Sequence, residues 1–379
     1  MPWKECSTVS SRLEFVLLAR TPGANIRQLC QAFGISPKTA YKWLARFDEQ
    51  GDAGLKDQSR RPRSSPLRSP MQLEQQVLEL HQRYPCWGSR KLRALLPEPR
   101  PHATTIDAIL RRHGCQIAGS VLPSASAHRR FEHEAPNLLW QMDFKGHFPL
   151  IDACAGRCHP LTVLDDHSRY ALCLQACADE TGASVQAALI AVFRQYGLPQ
   201  RITADNGAPW GIRQGEGLSK LAVWLIRLGI RLSHSRPYHP QTQGKDERFH
   251  RTLKRELIER NGFHSLPECQ HAFDQWRERY NLIRPHEALG QQPPVSRYRM
   301  SGRPYPEQLP QVEYEPGEHV LKVRPKGQVT FRGRLVFVGE GLAGQHIAMR
   351  PGAVDGVFVA HFCHKAVCQI DLRQAPSHC

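Results

Sequence analysis

The spacing of apolar residues predicts helices through the first 115 residues of the chain. Ser36 suits a helix N-cap and Pro37 suits the first helical position, so a helix is expected to begin there. The apolar residues that follow would share one face: Ala40, Trp43, Leu44 and Phe47. The outward face would present Lys38, Thr39, Lys42 and Arg46. This pattern indicates a helix-turn-helix module over residues 1–53, whose second helix enters the major groove of DNA. A small helical bundle with a solvated face is the alternative.

Residues 54–70 differ from the helical segments on both sides. They are rich in Ser and Pro and contain Arg61 and Arg63, which predicts an extended basic linker. Its Arg side chains would either lie along the phosphate backbone of DNA or remain in solvent as part of an inert tether.

Helical patterns return over residues 71–115 and predict a second DNA-binding module. Arg111 and Arg112 lie at the end of its last helix, where cations suit the helix dipole as well as DNA. Residues 116–135 are expected to form another linker. Two such modules in tandem would read a long DNA site.

Between residues 136 and 300 the pattern changes to alternating strands and helices. The predicted strands are 138–144, 161–164, 170–176, 201–204 and 230–234. The predicted helices are 183–196, 218–228 and 243–260. Such an alternation is typical of an α/β layer fold.

Residues 311–379 carry short apolar stretches separated by Gly. The predicted strands are 320–323, 328–331, 335–338, 346–349 and 357–361. They favour a small β-barrel. The predicted fold class is therefore multidomain, with all-α modules, an α/β core and a small C-terminal barrel.

The charge balance is strongly basic, with 51 Lys and Arg residues against 35 Asp and Glu residues and a net charge of +16. A surface of this kind favours a polyanionic partner such as DNA. The longest apolar runs are about six residues, far short of the roughly 20 that cross a membrane. The first ten residues have no signal-peptide core. Twelve cysteines without a CxxC pair are too few for a disulfide scaffold, which favours reduced thiols in the cytoplasm.

Three acidic residues lie where strands end or a helix begins. Asp143 lies among apolar residues of the first core strand, where a carboxylate is costly unless it is paired or bound to a cation. Asp205 follows the strand at 201–204, and Glu247 lies near the start of the long helix. Carboxylates of this kind suit Mg²⁺, with Mn²⁺ as the alternative ion. Two such ions activate an attacking oxygen and stabilise a leaving oxygen at phosphorus.

Sequence blocks around these acids resemble a known family. LWQMDF (139–144), TADNG (203–207) and QGKDERFHRTL (243–253) look like the three catalytic blocks of insertion-sequence transposases with a retroviral-integrase core. DDHSR (165–169) resembles the second-strand block of that family. The likeness covers roughly residues 5–300, because these transposases also carry N-terminal helix-turn-helix modules.

The resemblance implies an RNase H-like fold and a DDE triad, in which Asp143, Asp205 and Glu247 are catalytic and bind the metal. It also implies Mg²⁺-dependent cutting of the element ends and attack of the freed 3′-hydroxyl on target DNA. One departure concerns spacing, since the 41 residues between Asp205 and Glu247 exceed the spacing in many integrase cores. The more usual position holds Gln241, a poor Mg²⁺ ligand, so Glu247 is assigned from its motif. Asp246 remains the alternative third ligand.

The helix that contains Glu247 also carries a stripe of cations. Lys245, Arg248, Arg251 and Lys254 are the predicted phosphate contacts of the core. Glu247 and Arg251 are four residues apart, so an ordinary surface ion pair is the competing interpretation.

The sequence therefore predicts a transposase that binds the terminal inverted repeats of an insertion sequence and joins them to target DNA. We expect a homo-oligomer, dimer or tetramer, acting on the bacterial nucleoid without membrane association. A non-catalytic, sequence-specific DNA-binding regulator derived from a transposase is the alternative. A plain RNase H-type nuclease would share the acids but would not need tandem helix-turn-helix units.

Overall fold

The computed structural model forms two compact units that divide between Arg68 and Ser69. The residues that it describes are 8–58, 68–115, 132–152, 154, 156–205, 207, 209–210, 217–234 and 244–374.

The first unit is a bundle of three helices: α1 (Thr8–Ala19), α2 (Ile26–Ala32) and α3 (Pro37–Gln50). The side chain of Ser36 accepts a hydrogen bond from the backbone N–H of Thr39 and caps α3, as predicted. A 3₁₀ turn, Gly51–Leu55, closes the unit. Its core consists of buried side chains from all of these elements: Phe15, Val16, Cys30, Ala40, Trp43 and Leu55.

A second set of three helices opens the other unit: α4 (Met71–Arg83), α5 (Ser89–Leu95) and α6 (Ala103–Arg112). The rings of Tyr84 and Trp87 stack at 4.0 Å and enclose one side of its core. Both predicted helical segments are therefore present.

The α/β region contains six strands and four helices in its described part. The strands are β1 (Trp140–Phe144), β2 (Phe148–Pro149), β3 (Arg157–Asp165), β4 (Ala171–Cys177), β5 (Arg201–Ala204) and β6 (Arg231–His234). The helices are α7 (Gly182–Tyr196), α8 (Lys220–Arg227), α9 (Gly244–Glu256) and α10 (Leu266–Leu282). A 3₁₀ turn, Ile258–Arg260, follows α9, so the helix predicted to reach residue 260 ends earlier.

One sheet organises these elements in the strand order β2-β3-β1-β5-β6, with β4 also paired to β3. The strands β1, β3 and β4 are antiparallel, whereas β5 lies parallel to β1 and β6 lies parallel to β5. Helices α7 and α8 pack on one face of the sheet, and α9 and α10 pack on the other. This three-layer arrangement is the integrase-like RNase H core that was predicted.

The C-terminal region consists mostly of sheets, as predicted. Its strands are β7 (His319–Lys322), β8 (Gln328–Phe331), β9 (Arg334–Phe337), β10 (His346–Pro351), β11 (Val357–Phe362) and β12 (Lys365–Asp371). They form a four-stranded sheet, β12-β11-β10-β7, and a separate β8-β9 hairpin. The pairing between described strands does not close a barrel, because β7 and β12 remain at opposite edges of their sheet.

None of the described helices is both long and apolar enough to cross a membrane.

Candidate functional site

Asp143 and Asp205 lie on neighbouring parallel strands. Trp140 of β1 pairs with Ile202 of β5, and Gln141 pairs with Thr203. Extending this register by two residues sets Asp143 beside Asp205, on strands that run about 5 Å apart. The two carboxylates thus meet at one edge of the sheet, as the sequence pattern predicts.

Glu247 belongs to the first turn of α9, which packs across the sheet. Phe249 and Leu253 anchor this helix in the core beneath it. Glu247 lies on the exposed side of the helix. In the described part of the chain it makes no ion pair with Arg251, so the predicted alternative of a surface salt bridge is not observed.

The electrostatic environment of Asp143 links the three acids. Burial is the largest cause that raises the pKa of Asp143 to about 7, and the negative charges of Asp205, Glu180 and Glu247 raise it further. A backbone hydrogen bond of Phe144 opposes them. The ionised form of Asp143 is therefore disfavoured until a cation offsets the surrounding negative charge.

His250 connects α9, through Thr162, to the strand that carries Asp143. Thr162 of β3 donates its hydroxyl hydrogen to the backbone carbonyl of Asp143 at 2.9 Å. Because that hydroxyl has a single hydrogen, the Nε2–H of His250 donates to Thr162 Oγ1, 2.8 Å away. The His250 Nδ1 then lies 3.9 Å from Asp143 Oδ2. Burial lowers the pKa of His250 to about 4, so its ring is neutral at physiological pH.

Asp246 differs sharply from its neighbour Glu247. Its side chain is buried, and neither carboxylate oxygen has a hydrogen-bond partner. Burial raises the pKa of Asp246 well above its usual value, and the charges of Asp143, Asp166 and Asp205 add to the effect. Glu247, in contrast, is exposed, so a hydrated cation and a substrate phosphate can reach its carboxylate.

Asp166 and Lys245 form a buried ion pair beneath the start of α9. The ammonium of Lys245 donates to Asp166 Oδ1 at 2.5 Å and also to the Asp166 backbone carbonyl at 3.2 Å. Gln141 and His133 donate to the same carboxylate at 2.8–3.1 Å. Burial alone would raise the pKa of Asp166, but the hydrogen bond and charge of Lys245, with help from His133, lower it.

The structure thus differs from the prediction that Lys245 is free to bind phosphate. Its side chain is only 17% exposed and is engaged by Asp166. The two residues are 79 positions apart in the sequence, so their spacing carried no signal of the pairing. The acid of the pair was easier to identify from the sequence, because Asp166 directly follows a buried strand.

The donor set at the sheet edge fits Mg²⁺ chemically. The carboxylates of Asp143, Asp205 and Glu247 are oxygen ligands of the kind that this ion takes. A bound cation would also offset the burial and the negative charges that raise the pKa of Asp143. Among the described residues, no three His, Cys, Asp or Glu side chains form a preassembled metal cage. Mg²⁺ does not require one, because it keeps several waters and binds through one or two carboxylates plus substrate phosphates.

The predicted DNA contacts of the first unit lie on one helix. Lys38 and Lys42 of α3 are exposed, and the Thr39 hydroxyl is 2.9 Å from Ser36 Oγ. Arg46 covers the Trp43 ring, 5.1 Å from its centroid, and donates to Gln58. A cationic outer face on α3 is therefore present. The predicted contacts Arg61 and Arg63 lie outside the described residues.

Some of the remaining predicted DNA contacts form ion pairs with acidic side chains, and others are exposed. Arg112 is bound to the buried carboxylate of Glu74, whereas Arg111 is exposed. On α9, Arg251 is exposed. Arg248 donates to Glu287 at 2.8 Å, and Lys254 lies 3.5 Å from Glu259. Both of these ion pairs are at the surface, where such pairs are weak and a phosphate can replace the partner.

Comparison with known families finds matches in the helical, α/β and C-terminal regions of the chain. A helix-turn-helix domain family matches residues 11–63, and a homeodomain-like domain family matches residues 39–110. Integrase core domain families match residues 133–240 and 228–294. The C-terminal domain of IS481 family transposases matches residues 318–377.

Similar proteins come from bacterial insertion elements and retroviruses. An uncharacterized 39.2 kDa protein of insertion element IS476 from Xanthomonas euvesicatoria is 28% identical, over 64% of this chain and 69% of that protein. An uncharacterized 31.7 kDa protein of IS407 from Burkholderia multivorans is 28% identical, over 41% of this chain and 53% of that protein. The alignment thus spans about two thirds of the first relative and about half of the second. The HTLV-2 integrase catalytic core domain, solved with magnesium, is 15% identical with a TM-score of 0.33, covering 44% of this chain and 100% of that one.

Proposed function

We infer that the chain is a member of the insertion-sequence transposases that combine helix-turn-helix domains with a retroviral-integrase-type core. From this premise we propose that it binds the terminal inverted repeats of its own element and catalyses metal-dependent cleavage and strand transfer. The single observation that carries the proposal is the parallel pairing of β1 with β5, which sets Asp143 beside Asp205. The negative charge of Glu247 also acts on Asp143, which supports Glu247 as the third acid.

The three carboxylates would hold Mg²⁺, or Mn²⁺ in its place. When bound, the metal supplies charge that activates the attacking hydroxyl or water and stabilises the leaving oxygen. The protein itself positions the carboxylates. The sheet holds Asp143 and Asp205 in register, and the contact of His250 with Thr162 holds α9 against them. The neutral imidazole of His250 adds no positive charge that would compete with a cation.

DNA recognition would be divided along the chain. The outer face of α3 and the second helical module would read the inverted repeat, while Arg248, Arg251 and Lys254 would follow the phosphate backbone near the acids. Two element ends and one target must meet in a single assembly, which requires more than one copy of the chain. Such a substrate assigns the protein to the bacterial nucleoid in the cytoplasm.

Strand transfer in vitro tests the proposed function. With Mg²⁺ and a labelled duplex carrying the element's own end, the protein is expected to cut at the end and join it to target DNA. EDTA is expected to abolish both products and to leave DNA binding intact. Tight binding of the end without cutting, in either Mg²⁺ or Mn²⁺, would contradict the proposal and identify a non-catalytic regulator.

Arg251→Ala is expected to weaken DNA binding without changing sequence preference. The exposed guanidinium of Arg251 would neutralise one phosphate, so its loss should lower the slope of log affinity against log salt by about 1. Affinity at about 0.1 M salt should fall roughly 3–10-fold. Binding titrations over a series of salt concentrations measure both quantities. Arg194→Ala is the matched control, because Arg194 lies on α7, on the opposite face of the sheet. An equal loss in both variants would contradict a phosphate track on α9.

A further inference from the structure

The C-terminal sheet shares a hydrophobic core with helix α8. Val223 and Ile226 of α8 are buried among apolar side chains of the C-terminal strands, including Val329, Phe331 and Ile347. The opposite face of the same helix, with Leu221, Trp224 and Leu225, packs into the core of the α/β region. Helix α8 is thus buried on both sides. The C-terminal region is an integral layer beside the catalytic core and not a domain attached only by a tether.

The turn at Gly339–Leu342 of the C-terminal region contacts the segment of the chain that leads into α8. Gly341 lies so close to this segment that an added Cβ would collide with the carbonyl oxygen of Leu218 and approach the Ser219 carbonyl carbon to 2.9 Å. An added Cβ at Gly339 would lie 3.2 Å from the Cα of Gly217. Since Gly341 has no left-handed φ, space alone requires glycine there. The turn and the start of α8 are therefore in direct backbone contact.

A hydrogen bond and a ring contact connect the start of α8 with the strand that carries Asp143. The hydroxyl of Ser219 donates to the Trp210 carbonyl at 3.1 Å while accepting the N–H of Ala222 as the cap of α8. Trp210 is buried, and its ring lies 5.7 Å from the ring of Phe144, centroid to centroid. Phe144 is the residue after Asp143 on β1, and Trp210 is five residues after Asp205. One end of this contact therefore directly follows an acid of the site in the sequence, and the other lies five residues after a second acid.

We propose that the C-terminal domain positions the metal site, with Gly341 and Ser219 as positioning residues. The Gly339–Leu342 turn holds the start of α8, Ser219 holds Trp210, and Trp210 packs against the strand of Asp143. This inference rests on the proposed function of the acids. It assigns the C-terminal domain a role inside the catalytic core, apart from any contact that it makes with DNA.

Gly341→Ala tests this role, with Gly302→Ala as its matched control. Gly302 has no left-handed φ, and nothing lies within 4 Å of the position of an added Cβ. The Gly341 variant is expected to speed amide hydrogen exchange at Trp210 and Ala222. It should weaken Mn²⁺ binding to the free protein at least about fivefold and lower strand-transfer turnover at saturating DNA by about tenfold or more, because small misplacements are costly. Affinity for the element end should stay unchanged.

The readouts separate failure of the inference from failure of the proposed function. If exchange at Trp210 accelerates while Mn²⁺ affinity and turnover equal those of Gly302→Ala, the C-terminal domain does not position the site. The same conclusion follows if Gly341→Ala lowers only DNA affinity. If the unmodified protein never transfers strands, the proposed function fails, but exchange and Mn²⁺ affinity still decide whether the turn controls the acidic site.

Ser219 provides a second test should Gly341→Ala fail to fold. Ser219→Asp keeps an acceptor for the cap of α8 but cannot donate to the Trp210 carbonyl, whereas Ser219→Thr keeps both bonds. The Asp variant is expected to weaken Mn²⁺ binding and turnover in the same direction as Gly341→Ala, and the Thr variant to restore both. Equal Mn²⁺ affinity and turnover in the two variants would overturn the proposal.

Discussion

Replacing Asp143 with Asn is expected to abolish strand transfer and, at the same time, to make the metal-free protein more stable at pH 8. Activity should fall by about 10³-fold or more, since the loss of a metal ligand removes several kcal/mol of transition-state stabilisation. Asp205→Asn is expected to act in the same direction on activity. Binding of the element end should persist in both variants.

The gain in stability follows from the pKa of Asp143. Its folded-state value of about 7 exceeds the ordinary value of 3.8, so the folded protein binds the proton more tightly than the unfolded chain does. The stability of the metal-free protein should therefore fall as the pH rises from about 4 to about 7 and then level off. Asn removes this penalty, which we expect to be about 1–2 kcal/mol above pH 7 after allowance for solvent screening.

Urea denaturation in EDTA at pH 5 and pH 8 measures this effect. The Asn variant should be more stable at pH 8, and the difference should shrink at pH 5. Added Mg²⁺ should stabilise the unmodified protein and not the variant. A variant that loses stability at pH 8, or that still gains stability from Mg²⁺, would contradict the electrostatic description of the site.

Lys245→Met is expected to destabilise the fold by about 3 kcal/mol, because it leaves the carboxylate of Asp166 buried with its charge uncompensated. Asp166 is 2% exposed, so water cannot replace the ammonium. Turnover should also fall in the folded fraction, since the pair fixes the first turn of α9, two residues from Glu247. The double variant with Asp166→Asn should be less destabilised than the sum of the single changes, because the two residues form one interaction.

Chemical denaturation and DNA titration together check this prediction. Arg194→Met is the control, because it breaks an exposed ion pair with Glu307 and should leave the unfolding free energy within error. DNA affinity of folded Lys245→Met should match that of the unmodified protein. Weakened DNA binding with unchanged stability would instead identify Lys245 as the phosphate ligand that the sequence pattern suggests.

Local signals allowed much of the fold to be predicted. The second helical segment begins at Met71 and the strand at Arg201–Ala204 has its expected bounds, because apolar spacing and turn residues define them. Helix α10 was not assigned, although Ser265 caps it and its buried residues follow helical spacing: Cys269, Phe273, Trp276 and Tyr280. The predicted closure of the C-terminal strands into a barrel was wrong. Strand order in a sheet depends on contacts between segments that are distant in the sequence, and local patterns do not reveal these contacts.

The proximity of Asp143 to Asp205 was easier to predict than the contacts made by the surrounding residues. Asp143 and Asp205 follow from strand ends that converge, which is a property of the fold class. The partners of Lys245 and Arg112 lie 79 and 38 positions away and reveal themselves only in three dimensions. For the same reason, the contact of Gly341 with the start of α8 has no counterpart in the local sequence.

Single-turnover strand transfer by Glu247→Gln and Asp246→Asn, measured side by side with Mg²⁺, tests the central claim most directly. The two acids are adjacent, and each substitution is nearly isosteric. The triad of Asp143, Asp205 and Glu247 predicts that Glu247→Gln binds the element end and does not join it, while Asp246→Asn joins it at nearly the normal rate. An active Glu247→Gln beside an inactive, folded Asp246→Asn would contradict the triad and assign the third carboxylate to Asp246.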